Sequence, residues 1–258
     1  MKYEWCRKAI ARRHHIVIGG CSGSGKSTAE HDLLYTMMLE PCSEHCFVLI
    51  DTKRVELIDF KDAPHCARYC DNPDEVYPLL KNIEKIMDMR FERMQKQGQK
   101  VSSEPCCWVV IDEFYDIKTL CDKRCMAVLN RISSAGRAAK VLLIVGTQRT
   151  TRDTLSGMLS TNFSVKLGLR TITKQDSRNI LQVGGCELLP KYGQGILQID
   201  GINEDVVIPY TPEAKIRERI QYWIDLSKPK VNSEPPHSEP QTEPPKKKRW
   251  WQKQKTSQ

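Results

Sequence analysis

No uninterrupted apolar run long enough to form a bilayer-spanning helix occurs in the 258 residues, since such a helix needs about 18 or more. An apolar leader core is also lacking. The N-terminus reads MKYEWCRKAIARRHH before the first strand-like run, so it does not read as a secretory signal. Acidic charge is in deficit, 32 Asp and Glu against 40 Lys and Arg, which leaves a net +8. The imbalance is uneven: residues 227–258 carry eight basic and three acidic side chains, or +5 of the total. That stretch is rich in Pro, Ser, Glu and Lys and has little to bury, so it is expected to be a disordered tail. Its Lys246–Arg249 run and the adjoining Trp250 and Trp251 suit either a phosphate-rich or protein partner or a merely solubilising end.

Cysteine is plentiful, but its eleven copies are odd in number and fall inside predicted strands and helices. This argues against a disulfide framework and for a reduced, cytoplasmic chain. Three C-x-x-x-C pairs occur, Cys42/Cys46, Cys66/Cys70 and Cys121/Cys125. On a helix that spacing would put two sulfurs on one face, but zinc needs such pairs to meet in fours. Small buried thiols are the expected reading. An apolar content of 40% indicates a folded domain.

Against these absences stands one concentrated stretch. After the apolar run His15 to Ile18 comes GGCSGSGKST, Gly19 to Thr28, which fits G-x-x-x-x-G-K-[ST]. Glycine lets the backbone curl so that successive N–H groups converge on phosphate oxygens. The helix starting near Lys26 adds the positive end of its dipole. Gly20, Cys21, Ser22, Gly23, Ser24, Gly25, Lys26, Ser27 and Thr28 are therefore the expected nucleotide cradle. Lys26 would reach the outer phosphates, and the Ser27 hydroxyl would ligate Mg²⁺.

Strand and helix patterns alternate along the chain, which predicts a mainly parallel sheet flanked by helices. Helical spacing covers about Gly25 to Leu39, Asp74 to Gln97, Asp122 to Ser134, Gln175 to Gln182 and Pro212 to Leu226. Pro78 is expected to fall in the first turn of its helix. Strands are expected at residues 15–19, 46–50, 66–70, 106–111, 141–145 and 163–169, with Ile196 to Ile199 and Val206 to Pro209 as an edge hairpin. The apolar run Cys106 to Ile111 delivers Asp112 and Glu113 to a strand end. There Asp112 would hold Mg²⁺, and Glu113 would polarise a water for attack on the γ-phosphate. The 86 positions from Lys26 to Asp112 leave room for an extra strand between the two site-bearing strands. Gln148, ending the next strand, would sense the γ-phosphate through a hydrogen bond.

At this point the residues reach a family. The chain resembles the FtsK/SpoIIIE DNA-translocating ATPases, specifically their RecA-like motor domain, from His15 to about Tyr210. The carriers are H-x-x-x-x-G-x-x-x-G-S-G-K-S at His15 to Ser27, D-x-K-x-x-E-L from Asp51 to Leu57, and V-V-I-D-E-F from Val109 to Phe114. Gly136 to Ala139 (GRAA), Gly146 to Arg149 (GTQR), Thr173 to Arg178 and Gly193 to Gly195 complete the series. The resemblance implies a RecA-like P-loop NTPase over residues 1–226 and a cytoplasmic, Mg²⁺-dependent ATPase. It also implies a ring, usually a homo-hexamer, that threads double-stranded DNA. A neighbour's arginine would complete each ATP site; Arg137 is preferred over Arg149 and Arg178 because its GRAA context matches. DNA contact would be mainly to phosphates, with Lys118, Arg149 and Arg152 as candidates.

Two departures stand out. Thr150 replaces a common Pro, and Lys140 replaces a common Gly at the end of a helix, where the helix terminus is expected to change. The absence of membrane segments and of a winged-helix module suggests a short motor of the kind carried by mobile elements or phages, served by partner proteins. The alternatives are a secretion-type ATPase moving polypeptide, a coupling or genome-packaging ATPase, and a nucleotide-binding interaction module. A small-molecule kinase is opposed by the Asp-Glu pair and by GTQR.

Overall fold

The computed structural model describes residues 2–151 and 162–228. Arg152 and the tail beyond Lys228, including Lys246 to Trp251, lie outside the described residues. The elements in chain order are α1 (Glu4–Ala11), β1 (Ile16–Gly19), α2 (Lys26–Met37), β2 (His45–Ile50), β3 (Cys66–Cys70) and α3 (Pro73–Gln97). Then come β4 (Cys106–Ile111), α4 (Phe114–Leu120), α5 (Arg124–Ala135), β5 (Val141–Thr147) and β6 (Val165–Gly168). A helix α6 (Lys174–Leu181), the strands β7 (Gln194–Ile199) and β8 (Ile202–Val207), and α7 (Glu213–Ser227) complete the described chain.

Eight strands form one sheet in the order β3-β2-β4-β5-β1-β6-β7-β8. The first six are mutually parallel, while β7 and β8 run antiparallel at one edge. β1, β4, β5 and β6 are buried along their whole length, as expected for a parallel sheet covered on both faces. Strand alternation divides the core into two layers. Trp108 and Val110 of β4 join Leu33, Leu34 and Met37 of α2, Trp5 and Cys6 of α1, and Ile216 and Ile220 of α7. Cys107, Val109 and Ile111 point the other way, onto Leu80, Ile83 and Met87 of α3 and Val128, Leu129 and Ile132 of α5.

The parallel α/β architecture and the edge hairpin agree with the sequence reading; the strand between the two site-bearing strands and the place of Pro78 do not. The strand lying between β1 and β4 is β5, and Val145 pairs with both Val17 and Ile111. It therefore comes from after Asp112, and the residues between Lys26 and Asp112 supply β2 and β3 on the far side of β4. Asn72 caps α3, accepting a bond from the Asp74 N–H, with Pro73 in the first turn. Pro78 thus falls in the second turn and removes a helical hydrogen bond that would otherwise form. None of the three cysteine pairs lies on one continuous helix: Cys66 and Cys70 end a strand, and Cys121 closes α4 before α5 begins. All eleven cysteines are free thiols. Among the described residues no group of three or more His, Cys, Asp or Glu is arranged to hold a metal, and no helix is long and apolar enough to cross a membrane.

Local chemistry explains the joints. The β7–β8 turn is Asp200-Gly201, both with positive φ, the mirror-type turn that matches strand twist. Buried His15, just before β1, accepts the Leu143 N–H of β5 through Nδ1. Burial pushes its pKa down to about 4, which keeps that nitrogen free to accept. Lys140, standing where the resemblance suggests Gly, adopts a φ of 52°. α5 ends at Ala135 with Gly136 as its C-cap, so Lys140 lies in the turn before β5 and not at the helix terminus; its carbonyl accepts from the Cys107 N–H and Arg90.

Asp32 of α2 is fully buried, with Oδ1 bonded to the Thr211 hydroxyl ahead of α7 and Oδ2 without a partner. Burial pushes its pKa up to about 7, opposed by the Thr211 bond. The folded chain therefore binds this proton more tightly than the unfolded chain. Stability is lost as pH rises from about 4 through about 7 and stays lost above. Asp32→Asn should flatten that loss, gaining about 1–3 kcal/mol relative to the parent between pH 5 and pH 8 in urea unfolding. Lys140→Gly relieves the left-handed backbone and should be neutral to about 1 kcal/mol stabilising at the same midpoint measurement.

Candidate functional site

The ends of β1, β4 and β5 meet at one edge of the sheet, and the phosphate-cradle sequence begins there. The Gly20 N–H bonds the Thr147 carbonyl of β5 at 3.3 Å, and the Cys21 N–H bonds the Arg170 carbonyl beyond β6 at 2.9 Å. The loop from Gly20 to Gly25 is thus pinned to both neighbours of β1. Gly23 and Gly25 have φ of 71° and 95°, backbone that only glycine adopts without strain. A side chain at Gly20 would collide with Ser24 Oγ and Leu169. Ser24 Oγ is buried and has no hydrogen-bond partner. A buried hydroxyl inside a ring of backbone donors, left without a partner, is what a bound phosphate would satisfy.

Lys26 opens α2 and is buried, 3% exposed. Its ammonium contacts Asp112 Oδ1, bonds the Asp112 carbonyl at 3.0 Å, and bonds Glu30 Oε2 at 3.2 Å and Oε1 at 3.3 Å. The cradle lysine and the β4 acid, 86 positions apart, are therefore in direct contact. Burial pulls the ammonium pKa down, but the Glu30 and Asp112 carboxylates outweigh it and leave it above the ordinary value. Burial pushes the Glu30 carboxyl well up, with Asp112 adding to this and Lys26 opposing it.

Glu113, 5% exposed, is the N-cap of α4 and accepts the Tyr115 N–H at 3.3 Å. The same carboxylate accepts the Thr147 hydroxyl and the Gln148 N–H from the end of β5, both at 2.9 Å. Capping explains why a helix follows directly, although α4 leaves little periodicity to read. Lys53 Nζ lies 4.0 Å from Glu113 Oε2 and 3.9 Å from Asp116 Oδ2. Buried Asp51 shapes that loop by accepting the Leu57 N–H at 2.9 Å.

The geometry brings together Gly20 to Ser27, Asp112, Glu113 and the backbone of Gln148. It does not bring Arg137 to this edge. Arg137 is exposed in the turn before β5, near His14 and His15. A seven-residue strand separates it from Thr147, about 20 Å at 3.3 Å per residue. Arg149 and Arg178 are exposed, and Arg149 stacks over the Tyr115 ring, 3.9 Å from its centroid. Lys118 is exposed on α4. Sequence reasoning missed Glu30 and Thr147. The signal for Glu30 was its place four residues after Lys26, on the same helix face.

The FtsK/SpoIIIE family pattern matches residues 5–106. "DNA translocase FtsK" of Helicobacter pylori (strain J99) is 29% identical over 225 residues, covering 81% of this chain and 27% of that protein. The "DNA translocase FtsK" of Streptomyces avermitilis is 26% identical over 247 residues, covering 85% and 27%. The chain therefore spans about a quarter of the length of these relatives. Among solved structures, the pCW3 conjugation coupling protein TcpA, in its monomer form with ATPγS, has a TM-score of 0.73 at 20% identity, covering 83% of this chain and 65% of that one. The cytoplasmic domain of the Thermomonospora curvata type VII secretion ATPase EccC has a TM-score of 0.67 at 22% identity, covering 80% and 28%. These likenesses extend the agreement to the fold of a P-loop ATPase. Sequence pattern and relatives thus make the chain similar to the FtsK/SpoIIIE family, and the architecture agrees with that likeness.

Proposed function

We propose that the protein is a Mg²⁺-dependent ATPase that moves double-stranded DNA. The observation that carries the reading is the contact of Lys26 with Asp112, beside a glutamate anchored to the strand between them. In this reading the Gly20 to Thr28 backbone and the Ser24 hydroxyl hold the phosphates, and Lys26 leaves Asp112 to neutralise the outer ones. Ser27 and Asp112 would hold Mg²⁺, which supplies charge neutralisation to the triphosphate when bound. Glu113 takes the proton of the attacking water onto its carboxylate, and its bonds to Thr147 and Gln148 aim it. Gln148, sharing that anchor, reports the γ-phosphate to β5.

The relatives named as DNA translocases support DNA as the substrate, and duplex is the form proposed. A homo-hexameric ring would let Arg137, remote from its own site, complete a neighbour's. The exposed Lys118 and Arg149 are the proposed contacts to DNA phosphates. Mobile-element proteins are the proposed loading partners, and the cytoplasm the proposed location.

Lys26→Ala should weaken ATP binding at least about tenfold, because it removes a charged donor to phosphate. Glu113→Gln should still bind ATP but lose about a hundredfold or more in turnover, the usual worth of a positioned base. Equilibrium binding and steady-state ATPase assays read the two. Long duplex should raise the ATPase rate at least about threefold over single strands or no polymer, and the gain should fall as salt rises. Indifference to every nucleic acid would move the assignment to polypeptide transport or a nucleotide-gated interaction module.

A further inference from the structure

Glu30 is a carboxylate with no accessible side-chain surface, set one helical turn after the cradle lysine. Its surroundings are built to admit it. A Cβ at Gly146 of β5 would collide with Glu30 Oε1 and with the Asp112 carbonyl, so the bare backbone at Gly146 is what leaves the space. The charged groups that bear on Glu30 are the Lys26 ammonium and the Asp112 and Glu56 carboxylates. Packing alone does not account for it, since an apolar side chain would fill the slot without the cost of burying a polar group that must be satisfied. Lys26 is thus shared between Glu30 and Asp112.

We propose that Glu30 is a positioning residue that latches Lys26 in the nucleotide-free enzyme and so sets the affinity for ATP. The inference rests on the ATPase reading above. For Lys26 to serve a triphosphate its ammonium must swing away from Asp112 toward the cradle. Glu30 cannot follow, because it is fixed in the second turn of α2 and walled in by β5. Its attraction therefore stabilises the free enzyme more than the bound one, and each ATP captured has to outbid it. Asp112 is released for its own role in the same movement.

The test compares wild type, Glu30→Gln and Lys26→Ala for binding of Mg·ATP by calorimetry, together with KM and kcat. Glu30→Gln keeps the shape but replaces one of the two oxygens that accept from Lys26 with an amide NH2 group, and should tighten Kd about fivefold, the yield of one buried charged hydrogen bond partly replaced by Asp112. KM should fall with it, while kcat changes less than about twofold, since the reacting atoms are untouched. A purely structural role would weaken binding or lower both parameters. Glu30→Met, of similar length and uncharged, gives the same expectation should the amide fail to fold. Unchanged or weaker binding by a folded variant, with wild type binding and Lys26→Ala not, overturns the latch and leaves the ATPase intact. A wild type that binds no ATP overturns both.

Discussion

One ammonium facing two buried carboxylates is the constraint around which this molecule is arranged. Lys26 lies at the start of a helix, Asp112 at the end of a strand, and Glu30 one turn on from the lysine. Such a set is tolerable away from water only when its lone pairs are filled and its net charge is kept low, and burial accordingly pushes the Glu30 carboxyl well up. That requirement explains why the site is tight where it is: the bare Gly146, the glycines of the cradle, and the donors aimed at Glu113 from Thr147 and Gln148.

The inserted strand makes this possible. β5 pairs with β1 on one side and β4 on the other, so the two site-bearing loops are held a strand's width apart. At its end, Gly146 leaves room for Glu30 Oε1 and the Asp112 carbonyl, Thr147 bonds both Glu113 and the Gly20 N–H, and Gln148 donates its N–H to Glu113. A displacement of β5 would reach each of them. This gives a physical meaning to the GTQR stretch: its glycine makes room, its threonine anchors the glutamate, and its glutamine presents a backbone donor as well as a side chain.

Much of the candidate site was legible before the structure because a glycine-rich loop between strand and helix is a local pattern. Gly20 to Ser27 and the Asp112-Glu113 pair are short stretches whose spacing states their chemistry. What escaped was non-local or weakly periodic. α1 and α4 span only eight and seven residues, and α4 is started by the same Glu113 that was read only as an acid. Glu30 looked like any polar helix residue until Gly146 and Asp112 closed around it. Arg137 matched a family pattern well but sits at the opposite end of β5, which no local pattern could reveal.

The parallel α/β class, the edge hairpin and the glycine-rich loop before α2 could be read from consecutive residues, because strand alternation, helical spacing and glycine geometry are short-range effects. Only the tertiary structure decided which strand lies between β1 and β4, which carboxylates share the lysine, and which arginine stands far from its own site. Those follow from chain crossings and from charge matching among side chains distant in sequence, whose outcome depends on the whole sheet closing together.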